Sequence, residues 1–343
     1  MRKVDMSLLR LLRYARNDRR AFVMFLLLLM TFPVAAKQSA GTGGGAFLLI
    51  PVGVRMMGMG GAGVAVPSGA NAVSYNPALA AAIRRTEMAL VHQELFLDTA
   101  LSYGAFSMPL EFRGVNELGG ANVFAHAIYM DKGDIEVNLL NSGGSLASSE
   151  NKSAGYDMAF GLGYAEYFFR GSFGLSSLEE GSHSLGIMVQ GVQSNLLETY
   201  DAYAVAANVG YFGNFRRFGV GLSLLNIGSE LQFLEEGDPL PFAARAGFHY
   251  KMALAPVNLL TAYDAVYQEK DFVHRAGLEM TVTPMFAVRG GYQFEPQSYR
   301  GGPSFGFGLN MGTMFFDYAF SWSGDLEDTH RALFGMRFGR LHR

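Results

Sequence analysis

The sequence predicts an all-β membrane protein, a transmembrane β-barrel of about fourteen antiparallel strands with an N-terminal hatch in its lumen. Three observations predict it. From Glu87 onward large apolar residues alternate with small or charged ones at a period of two, without an amphipathic helix. The 343 residues include 43 Gly, 28 Phe and 16 Tyr against 17% charged residues, and mean hydropathy is positive at +0.15. That balance suits a sheet with lipid on one side. Beyond residue 36 the chain contains no run of about 18 apolar residues, which excludes helical spans.

Residues 1–36 read as a signal peptide. The basic stretch RYARNDRR (Arg13–Arg20) precedes the apolar run Ala21–Val34, and Ala35-Ala36 marks the expected cleavage site. The run is shorter than the roughly 20 residues of a spanning helix.

Residues 37–86 are rich in Gly and Ala, carry little charge, and are too few to build a core of their own. Phe47, Leu48, Leu49, Ile50 and Met56–Met59 predict that this segment packs inside the barrel as a hatch, with an apolar pocket at the methionines. Within it, Gly58–Gly63 (GMGGAG) matches G-x-G-x-x-G. A dinucleotide site would need a preceding strand, a following helix and an acidic residue about 20 positions on. Here Pro67 and Gly69 interrupt any helix, and the first acidic residue is Glu87. Gly58, Gly60, Gly61 and Gly63 are therefore read as a hatch strand that turns sharply and lies against a wall. Asn76 and Pro77 predict a short helix, with Asn as N-cap and Pro at the first helical position.

Residues 87–339 form the expected barrel. In TMFFDYAFSW, Met314, Phe316, Tyr318, Phe320 and Trp322 share one face, while Thr313, Asp317, Ala319 and Ser321 occupy most of the other. That is the lipid-versus-lumen pattern. The alternation places strands at about 87–95, 98–108, 121–130, 155–168, 182–192, 200–210, 217–226, 242–252, 257–266, 272–281, 285–294, 303–310, 313–321 and 329–339. Each is near the 9–11 residues of a tilted spanning strand. Turns at Ala253–Pro256, Thr283-Pro284 and Gly312 are expected on the periplasmic rim; the long polar segments Asp131–Ala154, Ile227–Pro241 and Ser323–Thr329 are expected as outer loops. Phe169–Gly181 is long where a short turn is expected.

Polar residues predicted to face inward gather in the second half: Arg245, His249, Lys251, Asp264, Arg275, Glu279, Arg289, Asp317 and Arg337. Opposite charges on neighbouring strands predict a ladder that braces the lumen and grips the hatch. The alternative is a polar path or a carboxylate clamp for a solute.

Several function classes lack their signature. Without cysteine there are no disulfides and no thiolate chemistry, and a net charge of -3 gives no footprint for nucleic acid. The seven His are scattered and no G-x-S-x-G motif occurs. The sequence therefore predicts no enzyme, no metal and no cofactor.

GVRMMGMGGAGVAV and ANAVSYNPALA, with Asn76-Pro77-Ala78 as their most specific element, resemble the plug signature of the FadL-like outer-membrane barrels. The MGMGGAGVA wording is most similar to the PorV/PorQ-type branch, as are LPFAARAGFHY (Leu240–Tyr250), AVRGGYQF (Ala287–Phe294) and the closing Asp317–Gly339. The resemblance implies a fourteen-stranded barrel closed by a hatch. In the FadL branch it implies passive uptake of long-chain fatty acids or other hydrophobic compounds. In the PorV branch it implies a shuttle that carries exported proteins to the cell surface. The last strand ends in Phe338, five residues before the C-terminus. It is similar to the signal read by the outer-membrane assembly machinery. The implied partners are thus outer-membrane lipid, that machinery, and a hydrophobic ligand or secreted proteins.

Overall fold

The computed structural model describes residues 44–95, 99–110, 120–141, 146–171, 181–233, 236–269, 271–294, 301–322 and 328–339. Residues 1–36, read above as a signal peptide, residues 37–43 and most of Ser323–Thr329 lie outside the described residues.

The chain builds the strands β1 Thr86–Glu94, β2 Ala100–Leu110, β3 Ala121–Asp131, β4 Asp134–Leu140, β5 Leu146–Ser153 and β6 Tyr156–Gly171. There follow β7 Gly181–Leu196, β8 Tyr200–Asn214, β9 Phe218–Gly228, β10 Glu230–Phe233, β11 Glu236–Pro239 and β12 Ala243–Leu254. The last are β13 Val257–Gln268, β14 Asp271–Thr283, β15 Phe286–Phe294, β16 Gly302–Asn310, β17 Met314–Ser321 and β18 Thr329–Phe338. Fourteen of them close into one antiparallel barrel, with β18 paired to β1; β4–β5 and β10–β11 are separate hairpins. Closure removes the sheet edges that hydrocarbon would leave without partners.

The pleat then divides the side chains. Phe160, Leu162, Val189, Val205 and Phe305 point outward and are more than half exposed, an apolar band that only lipid can cover. This is a transmembrane barrel.

Strand positions agree with the alternation, but lengths do not everywhere. β6 and β7 each have 16 residues and β8 has 15, so the anomalous length of Phe169–Gly181 is partly strand. The turns at Ala255-Pro256, Pro284-Met285 and Met311–Thr313 share one rim, here the turn rim. The segments read as loops at Asp131–Ala154 and Ile227–Pro241 lie on the opposite rim and are instead the hairpins β4–β5 and β10–β11. Their short apolar alternations, Ile135-Val137-Leu139 and Leu231-Phe233, were hidden among polar residues.

Residues 44–85 lie inside this wall as short pieces: 3₁₀ turns at Ala46–Leu49, Ala70–Ser74 and Pro77–Ala82, and one α-helical turn at Val54–Met57. The expected hatch strand at Gly58–Gly63 does not form. Gly60 and Gly61 hold φ of 68° and 82°, and local bonds such as Gly61 N–H to the Met56 carbonyl curl the chain into successive turns. A closed barrel leaves no inner strand partner to extend it. The Asn76-Pro77 start is present, with the Asn76 side chain accepting the Ala78 N–H at 3.0 Å, although the helix it caps is 3₁₀.

Candidate functional site: a hatch seated between two chambers

The hatch rests on lumen-facing glycines of the wall. A Cβ at Gly291 on β15 would stand 2.1 Å from the Gly60 nitrogen, and one at Gly277 on β14 would stand 2.3 Å from the Met59 oxygen. Gly221 on β9 meets the Val64 oxygen at 2.2 Å, and Gly186 on β7 meets the Ala78 nitrogen at 2.4 Å by the same construction. Real Cβ contacts are never this short, so any side chain at these positions would displace the hatch.

Between the glycines, single polar side chains satisfy the backbone of the irregular hatch, as buried N–H and C=O groups require. Asp264 accepts the N–H groups of Gly63 and Val64 at 2.7 and 2.9 Å. Ser304 accepts from Gly60 at 2.9 Å, and Glu87 from Ala70 at 2.8 Å. Ser223 donates to the Tyr75 carbonyl at 2.8 Å, Ser184 to the Ala78 carbonyl at 3.0 Å, and Asn122 to the Ile83 carbonyl at 3.2 Å. His249 Nδ1 lies 2.6 Å from the Ala65 carbonyl, which can only accept, so Nδ1 carries the proton. Asn76 donates to the carbonyls of Val64 and of Tyr211 on β8, both at 2.9 Å.

A chain of charges closes the side nearest the turn rim. Arg55 of the hatch grips Glu279 with two bonds of 2.7 Å; Arg289 bonds Glu279 at 2.7 Å and Asp317 at 2.6 Å. Arg337 reaches Glu87 at 3.0 Å. Burial works against the Arg55 charge, but Glu279 and then Asp317 outweigh it and raise the guanidinium pKa above its ordinary value.

The expected ladder is thus real in part. Glu279, Arg289 and Asp317 come together as a connected set. Arg245, Asp264 and Arg275 are buried in the wall without the pairing expected of them. The bonded oxygen of Asp264 serves hatch amides; among the described residues its other oxygen has no partner, and Nε and Nη1 of both arginines also lack one. Arg245 instead lies over the Tyr75 ring at 4.9 Å. Lys251 is exposed and, though near enough to feel the charges of Arg55 and Glu279, forms no ion pair among the described residues. Register brings strands together, but side-chain length and the hatch backbone decide who bonds. The sequence reading missed Arg55, Glu87, Ser184, Ser223 and Ser304; for Arg55 and Glu87 the signal was a lone charge in an apolar segment beside the barrel.

The hatch separates two cavities. The outer chamber is narrow, about 30 Å³, and is lined by hatch residues Leu48, Ile50, Val52 and Tyr75 and by wall residues including Ile128, Met188, Leu225 and Arg245. Its polar wall is a network in which Gln190 bonds His126 at 3.2 Å, Asn208 at 3.2 Å and Asn226 at 3.0 Å. The inner vestibule, about 260 Å³, opens at the turn rim among Arg55, Glu279, Arg289, Asp317 and Arg337. The apolar pocket expected at Met56–Met59 is absent from both linings. Met56 instead fills the space that Gly53 and Gly63 leave, where a Cβ would meet it at 2.3 and 2.4 Å. Among the described residues no three His, Asp or Glu side chains converge to hold a metal ion.

Known structures share this arrangement of strands. The chain is similar to the toluene transporter TbuX of Ralstonia pickettii, with a TM-score of 0.51 and 11% identity over 85% of this chain and 100% of that one. It is also similar to the CymD monoaromatic hydrocarbon channel, with a TM-score of 0.54 and 13% identity over 86% of this chain and 99% of that one. These likenesses establish the fold. The TodX deltaS2S3 mutant, a monoaromatic hydrocarbon channel, gives a TM-score of 0.53 and 10% identity over 83% of this chain and 99% of that one. The closed fourteen-stranded antiparallel barrel expected from the sequence is the fold found. No protein-family model matches the chain, and no curated protein matches it in sequence.

Proposed function

We propose that this protein is a passive channel for hydrophobic compounds, long-chain fatty acids among them, in the outer membrane of a Gram-negative-type envelope. The outer chamber carries this reading. Its apolar residues Ile50, Val52, Ile128 and Leu225 face Arg245, whose buried Nε and Nη1 have no partner among the described residues, so apolar surface and donors for an acceptor head stand together at a narrow space that widens to admit a solute. Proteins of this fold named as hydrocarbon transporters and channels support it. In this reading the hairpin rim faces outward, the apolar band contacts outer-membrane lipid, and β18 is the strand read by the assembly machinery. Mass spectrometry of detergent-purified protein tests it: fatty acids or other apolar compounds should co-purify, and fewer should do so with Arg245→Gln. Protein free of any such compound, and cells that gain no uptake from it, would sink the reading.

A second reading, a PorV-like shuttle for exported proteins, draws on one observation. Hairpin β4–β5 is a free-standing ribbon with Ile135, Leu139 and Leu146 more than 40% exposed, and such ribbons gain stability by binding. Cross-linking through Leu146→Cys in envelopes should then capture exported proteins.

A further inference from the structure

The hatch is not held alike along its length. From Arg55 to Ile83, wall side chains bond its backbone at Gly60, Gly63, Val64, Ala65, Ala70 and Ala78, among others. Along residues 44–52 the hydrogen bonds, among the described residues, run inside the segment itself, from Leu48 to Gly45 and from Ile50 to Phe47. What fixes this strap is apolar contact. Phe47 is buried in one cluster with Leu231 of β10 and Leu240, and Gly45 lies where a Cβ would meet both leucines at 3.2 Å. The hairpin that clamps it is also slight, four residues in each strand, a size that is marginal by itself.

Leu48, Ile50 and Val52 of this strap line the outer chamber. Unseating residues 55–83 would leave buried polar groups of the wall without partners, whereas the strap can lift by exposing apolar surface alone. The first bond of the seated part runs from the Met57 N–H to the Gly53 carbonyl at 2.8 Å, which places the end of the free segment at Gly53.

We propose that residues 44–52, clamped under β10–β11, are the outer gate of the chamber, and that they lift about Pro51–Gly53 while the rest of the hatch stays seated. The role in solute passage rests on the channel reading; the division into movable strap and fixed seat does not.

Two measurements on the full chain test this. Hydrogen–deuterium exchange in nanodiscs should be at least about 100-fold faster for residues 46–52 than for 60–66 and 76–82, as local opening predicts. Equal protection of the two would overturn the proposal. The second uses the absence of native cysteine. In Gly44→Cys/Asp238→Cys the new Cβ lies about 3.1 Å from that of Asp238, a few tenths of an ångström from disulfide spacing. Oxidised cells should take up radiolabelled oleate or toluene at least about tenfold more slowly than the same cells after reductant. Equal uptake in the two states would also overturn the gate. If neither compound enters even the reduced cells, the channel reading fails, and the exchange measurement alone decides whether the strap moves.

Discussion

The carboxylate of Asp264, on the inner face of β13, accepts the backbone N–H of Gly63 at 2.7 Å. The same oxygen takes the N–H of Val64, so one wall residue fixes the turn where the hatch crosses the lumen. Asp264→Ala leaves both amides buried without an acceptor, at a cost of about 1–3 kcal/mol each. Thermal unfolding in detergent should move down, and Asp264→Asn, which keeps an acceptor, should recover part of the loss.

Neighbouring glycines on β15 offer an internal control. A Cβ at Gly291 would strike Gly60 and Met59, whereas one at Gly290, on the lipid side, meets nothing within 4 Å. Gly291→Val should expel the hatch from its seat and expose it to protease while the barrel still assembles. Gly290→Val should match the parent protein; equal protease sensitivity of the two variants would refute the glycine seat.

Glu279 joins the hatch to the wall because it serves Arg55 and Arg289 at once. Glu279→Gln leaves the half-buried Arg55 guanidinium without its anion, while Arg289 keeps Asp317, a loss of about 3 kcal/mol. Lys251→Ala, at an exposed site, should stay within about 0.5 kcal/mol of the parent. Chemical denaturation in micelles would rank them.

Removing Gly45–Ala82 takes away the hatch but leaves the closed sheet. The truncated chain should still show a heat-modifiable band, and planar bilayers should record a larger, steadier conductance than with the parent protein. A chain that cannot fold without these residues would show instead that the barrel needs its plug.

Much of this was legible in sequence because a strand's side-chain period of two is local. Phe316 and Asp317 announce opposite faces by adjacency alone, and β17 falls where they place it. The hatch was legible as a segment too apolar for solvent and too small for a core. Its conformation was not: period counting cannot read turns held by positive φ at Gly60 and Gly61. The site followed the same division. Glu279 and Arg289 could be paired from neighbouring strands, but Arg55 lies 224 residues from Glu279, and no local pattern carries that contact.

By itself the sequence determined the class of the molecule: strands that alternate lipid-facing and lumen-facing residues, in a number that closes a barrel, preceded by a glycine-rich insert. Tertiary structure alone decided which glycines form the seat, that Asp264 serves the hatch and not Arg275, and that Arg245 faces a chamber. The physical reason is that alternation is set by backbone geometry within one strand. Contacts across the lumen depend on the shear and closure of the whole sheet, which bring together residues that no window of sequence contains.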